Sequence, residues 1–327
     1  MSCPPLKTAV VEAGHWHAPA YFAALEAAGC PAACWSEHDQ QARLRRQAEH
    51  PGRAYADHST MIEVERPDLV FAFGVHGEMP QIARDLVTLE VPFSMEKPGG
   101  LDPAALQSVV EAAEDLRLFA GADLVMRRYP IFTRLGELRD SGELGRVKAF
   151  RFTLLAGGPE RYSEWGVDWM LDPERSGGPL FNFGPHGVDL FLWLCGEERA
   201  AVLTAAAIGD LHDTRIEDYV AFLLRTPAGA LGVFEVGYTM VAGAYKQEMT
   251  LISDRLVASS PDGVGGRLAW RAGSAEEQVP SQDGRDSFVA ETIQRLREGR
   301  EPPVPLRQML NSLRVLTAVA ENARRTI

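Results

Sequence analysis

The sequence predicts an α/β domain built on a doubly wound parallel sheet, followed by an α+β domain whose sheet is mostly antiparallel. Three observations support this fold class. The chain has 327 residues, which is more than one hydrophobic core comfortably serves. Its first third alternates short apolar runs with helical stretches, as βαβ units do. Later, several β-rich runs follow one another without helices between them. We therefore predict two domains, residues 1–123 and 124–327.

Five strands and four helices are predicted in the first domain. The strands are Thr8–Val11, Ala32–Trp35, Leu69–Phe73, Pro92–Met95 and Leu118–Ala120. The first three helical patterns are Pro19–Ala28, Gln40–Glu49 and Met79–Leu89. The fourth helix begins after Asp102, a favoured N-cap, with Pro103 at its first position. In such sheets ligands bind at the carboxyl ends of the strands.

The second domain begins with helix Pro130–Ser141 and the long β-rich run Val147–Leu155. A second helix follows the Gly177–Gly178 turn and runs through Val188–Leu194. The antiparallel strands are predicted at Val202–Ile208, Asp218–Arg225, Ala230–Tyr238 and Glu248–Ile252. Two helices, Phe288–Glu298 and Leu306–Arg325, close the chain.

Composition excludes several classes of protein. The formal net charge is −12, which argues against a nucleic-acid partner because phosphate binding needs a basic surface. No apolar run approaches the roughly 20 residues that cross a bilayer, so no membrane association is predicted. Cys3, Cys30, Cys34 and Cys195 form no C-x-x-C pair, and the first residues lack a secretory signal pattern. We expect reduced thiols and a cytoplasmic location.

The turn after the first strand is a candidate nucleotide site. A dinucleotide fingerprint G-x-G-x-x-G would let bare backbone approach a pyrophosphate at a helix N-terminus. Here only Gly14 matches, since Glu12 replaces the tight-turn glycine and His17 replaces the third. Glu37 follows the second strand, where an acid binds a ribose 2′-hydroxyl and repels a 2′-phosphate. This favours NAD over NADP.

Other interpretations of this region remain open. The turn could join strand to helix without a ligand, and Glu37 could be a solvated loop carboxylate. NADP is not excluded, because His38 and Arg43 offer a 2′-phosphate counter-charge. His15 and His17 form an H-x-H pair, but no acidic or cysteine cluster stands at ligand spacing beside it, so no metal site is predicted.

Two further segments carry residues suited to proton transfer. Lys97 follows the fourth strand and precedes Pro98, so it could stabilise developing alkoxide charge on a substrate oxygen. The alternative is an ordinary loop lysine paired with Glu96. His186 lies four residues after Asn182 on one helix face, and imidazole is suited to accepting an alcohol proton. The alternative is a core histidine satisfied by Asp189.

These segments, in this order, resemble the glucose–fructose oxidoreductase / inositol dehydrogenase / MocA (Gfo/Idh/MocA) family over nearly the whole chain. Glu96-Lys97-Pro98 matches the family's E-K-P, and Gly184-x-His186-x-x-Asp189 matches its second block. Asp140–Val147 is similar to the segment that enters the family's second domain, and Arg297–Pro302 to the loop before its last helix.

The resemblance implies a Rossmann domain joined to a domain with a large, open, mostly antiparallel sheet. That sheet implies a homodimer or homotetramer, and the resemblance places Lys97 and His186 beside the nicotinamide and the substrate. The chain departs from the family at three positions. Asn182 stands where the dehydrogenases usually carry Asp, Met79 where the loop after strand three usually ends in His, and Glu12 where glycine is usual.

The leading hypothesis is an NAD(P)-dependent oxidoreductase that acts on a sugar, polyol or related hydroxy compound. Lys97, His186 and Asn182 are the predicted catalytic residues. The cofactor is predicted to contact Gly14, His15, Trp16, Glu37, His76, Glu96 and Lys97. The substrate is predicted to contact Lys97, Arg127, Trp165, Trp169, Asn182 and His186. The alternative is a non-catalytic or regulatory relative that binds a ligand without hydride chemistry, which the three departures favour.

Overall fold

A computed structural model describes residues 6–50 and 52–324, and its chain forms two compact units. The first unit contains the described residues up to Asp123 together with Glu164–Val167 and Arg285–Leu310. The second contains Leu124–Ser163, Asp168–Gly284 and the described residues from Asn311 onward. The predicted boundary at residue 123 thus coincides with the end of a segment of the first unit, to which the structure adds two later segments.

The first unit contains a six-stranded, fully parallel sheet, in agreement with the predicted fold class. Its strands are β1 Thr8–Val11, β2 Ala32–Ser36, β3 Arg53–Tyr55, β4 Leu69–Ala72, β5 Phe93–Glu96 and β6 Ala120–Asp123. Their spatial order is β3-β2-β1-β4-β5-β6, so the order in which the strands are added to the sheet reverses between β1 and β4. Ligands of doubly wound sheets bind at such a reversal, beyond the carboxyl ends of the strands. This order therefore places the candidate nucleotide site at the ends of β1, β2 and β4.

Five helices connect these strands: α1 Ala18–Ala27, α2 Gln40–Glu49, α3 His58–Glu65, α4 Met79–Thr88 and α5 Pro103–Asp115. Asp39, Asp57 and Asp102 cap α2, α3 and α5, each accepting a hydrogen bond from a backbone N–H of the first turn. Strands β1, β4, β5 and β6 are wholly buried, with Val10, Phe71 and Met95 at zero exposure. Their apolar runs match what a sheet covered on both faces requires.

The second unit carries an eight-stranded sheet that is antiparallel except for one pair, which confirms the predicted mostly antiparallel sheet. Its strands are β7 Val147–Gly157, β8 Ala201–Ile208, β9 Tyr219–Arg225, β10 Leu231–Met240, β11 Tyr245–Ser253, β12 Leu256–Ser260, β13 Gly266–Trp270 and β14 Glu276–Val279. The order is β14-β13-β12-β11-β7-β10-β9-β8, and β7 pairs with β10 in parallel. The sheet is open, with β14 and β8 at its edges.

The second unit contains the helices α6 Pro130–Asp140, α8 Pro173–Ser176 and α9 Gly178–Cys195, and all of α7 Arg161–Glu164 except its last residue. Helix α9 packs on one face of the sheet so closely that a Cβ added to Gly187 would lie 2.6 Å from Phe152. Phe150, Phe191 and Phe234 form an aromatic core with ring centroids 5.7–6.0 Å apart. This packing fixes α9, which carries Asn182 and His186.

Two further helices follow the second sheet. Helix α10, Arg285–Arg297, belongs to the first unit, and α11, Leu306–Arg324, begins in the first unit and ends in the second. None of the helices among residues 6–50 and 52–324 combines the length and apolarity that a membrane span requires. The described cysteines Cys30, Cys34 and Cys195 are free thiols, while Cys3 lies outside the described residues.

Most elements lie within one to three residues of their predicted bounds. The prediction missed β3 and α3, and it missed β12, β13 and β14. These strands have only three to five residues, too few for a clear alternation of apolar and polar positions. Helix α9 begins at Gly178, immediately after the glycine turn, and continues through Pro185. These bounds agree with the helix predicted after the Gly177–Gly178 turn, although proline is unusual at position eight of a helix.

Candidate functional site

The turn between β1 and α1 holds Glu12 in a left-handed backbone conformation, with φ of 55°. Non-glycine residues adopt this conformation at an energetic penalty, which is why a tight turn here normally uses glycine. Gly14 follows two residues later, where a Cβ would lie 2.4 Å from the Glu37 carboxylate and 2.9 Å from the Ala42 methyl group. A side chain at Gly14 would therefore collide with Glu37 and Ala42.

Glu37 lies directly after β2, and its side chain is buried rather than solvated. Oε2 accepts a hydrogen bond from the Gly14 N–H at 2.6 Å, and Oε1 accepts one from the Asp39 N–H at 2.8 Å. Two backbone donors therefore hold the carboxylate against the β1–α1 turn. Arg43 donates to the backbone oxygens of Glu37 and His38, at 2.6 and 3.3 Å.

A second carboxylate lies beside Glu37. Glu12 is 7% exposed, and its Oε2 lies 2.5 Å from Nδ1 of His38. Burial, followed by the nearby charge of Glu37, raises the pKa of Glu12 to about 7, although His38 acts in the opposite direction. Burial lowers the pKa of His38, but the charges of Glu12 and Glu37 outweigh it and raise that pKa overall. The pair therefore exchanges protons near neutral pH.

Histidine and aromatic side chains cluster around the same turn. The His15 ring stacks on Trp16 at 3.8 Å and on Phe73 at 5.4 Å between centroids. The Trp16 ring lies 6.4 Å from that of His76, which is fully buried in the 3₁₀ turn His76–Glu78 after β4. Burial, reinforced by the neighbouring His17, holds the pKa of His15 well below its usual value. The His15 ring is therefore neutral at pH 7 and forms a wall of stacked rings with Trp16 and Phe73.

Lys97 follows β5 at the same edge of the sheet and is only 1% exposed. Burial lowers its pKa to about 8, while the adjacent Glu96 partly counteracts this. Glu96 is itself buried, and its Oε2 lies 3.2 Å from Nδ1 of His17. A surface loop lysine would be solvated, so that alternative does not describe Lys97.

A cavity of about 360 Å³ opens beside Gly14 within the first unit. Trp16, Arg45, Arg46 and Trp165 are among the side chains that line it. Trp165 was predicted from the sequence to bind substrate in the second domain, but the structure places its segment in the first unit. Its side chain is half exposed and borders the candidate nucleotide turn. Sequence reasoning did not identify Arg45 and Arg46 as cavity residues.

In the second unit, Asn182 and His186 lie one turn apart on α9, both buried. The Asn182 side-chain amide donates to the hydroxyls of Tyr162, at 2.7 Å, and Tyr238, at 3.0 Å. These two tyrosines come from α7 and β10. The Asn182 side-chain amide group is thus held by two tyrosine hydroxyls from different elements.

The sequence suggested that Asp189 orients the His186 ring. In the structure, Asp189 binds Arg127 instead. Its two carboxylate oxygens accept hydrogen bonds from Nε and one terminal nitrogen of Arg127, at 2.8 and 2.5 Å. Both side chains are at most 5% exposed, and the Arg127 guanidinium also lies 5.0 Å from the Trp193 ring centre. Arg127, predicted to contact substrate, forms an internal ion pair in the structure. Trp169, the other predicted substrate residue, is half-buried in the 3₁₀ turn Asp168–Leu171.

No sequence motif pointed to Arg161, Tyr162 or Tyr238 as site residues. The Arg161 guanidinium lies 4.9 Å from the centre of the Tyr162 ring and 5.4 Å from that of Tyr238. One nitrogen of Arg161 is also 3.3 Å from the Tyr162 hydroxyl. Arg161 and Tyr162 lie in α7 and Tyr238 lies in β10, 76 residues after Tyr162, so no local spacing could reveal the group. They surround Asn182 with hydroxyl groups and one cation.

The residues around Gly14 fit a dinucleotide with one exception. The parallel strand order, the bare backbone at Gly14 and the carboxylate of Glu37 are the features that such a cofactor requires. Glu12 is the exception, because its carboxylate adds a negative charge where a pyrophosphate must approach. The donor set otherwise suits the adenosine ribose and the helix N-terminus suits a phosphate.

The fold and site define a Rossmann-type protein with an added α+β domain. Residues 132–255 match the family model described as "GFO/IDH/MocA C-terminal domain". This match agrees with the resemblance stated from the sequence motifs. The matched segment contains α9 with Asn182 and His186, and it includes strands β7 to β11.

The chain is also similar in sequence or structure to several known dehydrogenases. Mouse trans-1,2-dihydrobenzene-1,2-diol dehydrogenase is 26% identical over 144 residues, which cover 42% of this chain and 39% of that protein. The WlbA dehydrogenase from Bordetella pertussis, solved with NADH and UDP-GlcNAcA, is 19% identical with a TM-score of 0.83, covering 100% of this chain and 98% of that one. A levoglucosan dehydrogenase, solved with NADH and levoglucosan, is 14% identical with a TM-score of 0.86, covering 99% and 98%. The structural matches establish the shared fold.

Proposed function

We propose that this protein is an NAD-dependent oxidoreductase that moves a hydride between the nicotinamide and a small hydroxy compound, such as a sugar or polyol. The observation that carries the proposal is the buried Lys97 at the carboxyl edge of a Rossmann sheet that also holds Gly14 and Glu37. A buried lysine is expensive to maintain, and such groups concentrate at functional sites. The related proteins that are named as dehydrogenases support the same reaction class.

Two acidic groups favour NAD over NADP. Glu37 would accept a hydrogen bond from a ribose hydroxyl, and together with Glu12 it would repel a 2′-phosphate. The cations that could have compensated are engaged, since Arg43 binds backbone oxygens and His38 binds Glu12. His15, Trp16 and His76 would provide an apolar wall for the bound nucleotide. Glu96, which lies beside His17, would contact the cofactor next to Lys97.

The bound cofactor would supply the hydride chemistry, and residues of this chain would handle the accompanying proton. Lys97 would donate a hydrogen bond to the reacting oxygen and stabilise its charge as the hydride moves. Its pKa of about 8 leaves it protonated at pH 7 yet able to release a proton readily. His186 would act as the general acid or base, since imidazole titrates near neutrality.

The second unit would recognise the substrate through Asn182 and its neighbours. Asn182 would contact a substrate hydroxyl, and Tyr162 and Tyr238 would orient its side-chain amide. Trp169 would form part of the same surface. Arg161, beside both tyrosines, favours a substrate that carries an electron-rich or anionic group.

The second sheet is also the proposed interface of a homodimer or homotetramer. Its strands expose apolar side chains, with Leu203 at 45%, Val233 at 43% and Ile208 at 54%. Exposed apolar groups on one face of an open sheet are typical of a surface that another protein copy covers. Light scattering after gel filtration tests this, and a monomer at micromolar concentration would contradict it.

The function is tested by titrating the protein with NADH while recording nicotinamide fluorescence, then assaying NAD reduction with a panel of sugars and polyols. Lys97→Met should abolish turnover while leaving NADH binding measurable, and Lys97→Arg serves as the charge-retaining control. His186→Asn should slow turnover severely and flatten its pH profile near neutrality. A protein that binds no dinucleotide at millimolar concentration would contradict the proposal and favour a non-catalytic ligand-binding relative.

A further inference from the structure

The Glu12 side chain crosses the point where a dinucleotide would enter the sheet. Its Cγ lies 3.9 Å from the position of a Cβ added to Gly74, just after β4. Its carboxylate reaches the other way to His38, two residues after the end of β2, at 2.5 Å. Since β1 lies between β2 and β4, the side chain spans the carboxyl end of β1 at the reversal of strand order.

The charges around this side chain are predominantly negative. Glu37 raises the pKa of Glu12, and Glu78 joins both carboxylates in raising that of His38. His38 is the cation in direct contact with Glu12, and its side chain is 60% exposed, so it can move without disturbing a core. With Glu12 and Glu37 ionised and His38 neutral, these three side chains carry a net charge of −2; one added proton reduces it to −1.

We propose that Glu12 is a gate of the nucleotide site: a dinucleotide binds fully only when this carboxylate is protonated or turned away from the turn together with His38. The inference rests on the proposed function, because it concerns the same cofactor. The physical reason is that a pyrophosphate carries two negative charges and approaches the turn that Glu12 occupies. Two carboxylates at that place oppose it, and each proton taken up by the Glu12–His38 pair weakens the opposition.

The gate makes the affinity for the dinucleotide decrease as pH rises. Above neutrality the pair loses its shared proton, the negative charge at the turn rises, and affinity falls. If binding takes up one proton, the dissociation constant increases by up to about tenfold per pH unit above the midpoint of the pair. The same charge acts more strongly on NADPH, which carries an additional phosphate, so NADPH should respond more steeply than NADH.

The experiment measures dissociation constants for NADH and NADPH by fluorescence at pH 6.0 and 8.5, in buffer with a chelator so that a captured cation does not contribute. Four proteins are compared: the unaltered chain, Glu12→Gly, Glu12→Gln and Glu90→Gly. Glu12→Gly restores the residue that suits a φ of 55°, and Glu12→Gln keeps the size while removing the charge. Glu90→Gly is the matched control, an exposed glutamate with φ of 50° in the same unit.

The gate predicts that both Glu12 variants bind NADH about tenfold or more tightly than the unaltered chain at pH 8.5, with a smaller difference at pH 6.0. Glu90→Gly should match the unaltered chain. Equal affinities and equal pH dependence in all four proteins would overturn the gate and leave the oxidoreductase proposal standing. Absence of NADH and NADPH binding in every protein would overturn the cofactor proposal and the gate with it. Binding by the Glu12 variants alone would support both.

Discussion

Replacing the buried Lys97 by methionine should stabilise the folded protein at pH 7 even as it removes activity. Methionine has a similar length and no charge, so it fills the same space without the penalty of burying an ammonium group. The side chain is only 1% exposed, so solvent does little to reduce that penalty. A lysine that served the fold would behave in the opposite way, because its removal would lower stability.

The size of the effect follows from the pKa of Lys97. Burial lowers it from 10.5 to about 8, and that difference corresponds to about 3.4 kcal/mol. The lowered pKa already includes the attraction to Glu96, and imperfect packing of methionine offsets part of the gain, so we expect an increase of about 1–3 kcal/mol in the free energy of unfolding at pH 7. Between about pH 8 and 10.5 the unfolded lysine is protonated and the folded one is not. The stability of the unaltered protein therefore rises through this window, and the advantage of the variant shrinks.

Urea unfolding followed by tryptophan fluorescence at pH 7, 9 and 10.5 measures this difference. Lys148→Met is the control, because Lys148 is exposed on β7 and its replacement should change stability by less than about 0.5 kcal/mol at every pH. A Lys97→Met protein that is less stable at pH 7, or whose gain does not decline with rising pH, would refute the reasoning. Either outcome would mean that the ammonium group is well compensated inside the fold.

Three further predictions concern buried charge and backbone conformation. Asp189→Ala should lower the free energy of unfolding by about 3–5 kcal/mol, because it leaves the buried Arg127 guanidinium without its carboxylate; a loss below about 1 kcal/mol in urea unfolding would contradict this. Glu12→Gly should raise thermal stability by about 1 kcal/mol by relieving its left-handed conformation, and calorimetry showing a lower melting temperature would refute it. Burial and the nearby Glu96 raise the pKa of Asp123 to about 8, so stability should fall as pH rises from 4 to 8; Asp123→Asn should flatten that fall, and an unchanged slope in urea unfolding would sink the idea.

The fold was accessible from the sequence because its longer elements repeat strong local signals. Apolar runs such as Leu69–Ala72 mark buried parallel strands, and Asp102 followed by Pro103 marks a helix start. The short edge strands β12 to β14 were missed, because they alternate over too few residues and gain their stability from pairing with neighbours in the sheet. The predicted strands differ from the missed ones in their length and in their dependence on pairing, rather than in their composition.

The candidate site was only partly accessible for a different reason. Gly14, Glu37 and Lys97 follow strands, and strand ends meet at one edge of a parallel sheet, so their proximity could be anticipated. The contacts of Asp189 could not be anticipated, because the competing partner Arg127 lies 62 residues away in sequence. Sequence spacing suggested His186 as the partner of Asp189, but a bidentate guanidinium pair binds a buried carboxylate more strongly than a neutral imidazole does.

Backbone conformation separates Glu12 from other residues of its kind. Four non-glycine residues in the described part of the chain have φ between 47° and 55°: Glu12, Arg66, Glu90 and Arg117. The last three are exposed at the C-terminal ends of α3, α4 and α5, where a left-handed residue commonly terminates a helix. Glu12 ends no helix, is buried, and places its carboxylate beside another acid. A strained backbone and a buried like charge rarely coincide at one residue unless the site uses them. Glu12 weakens the nucleotide fingerprint, and for this reason its replacement is the most informative test of the site.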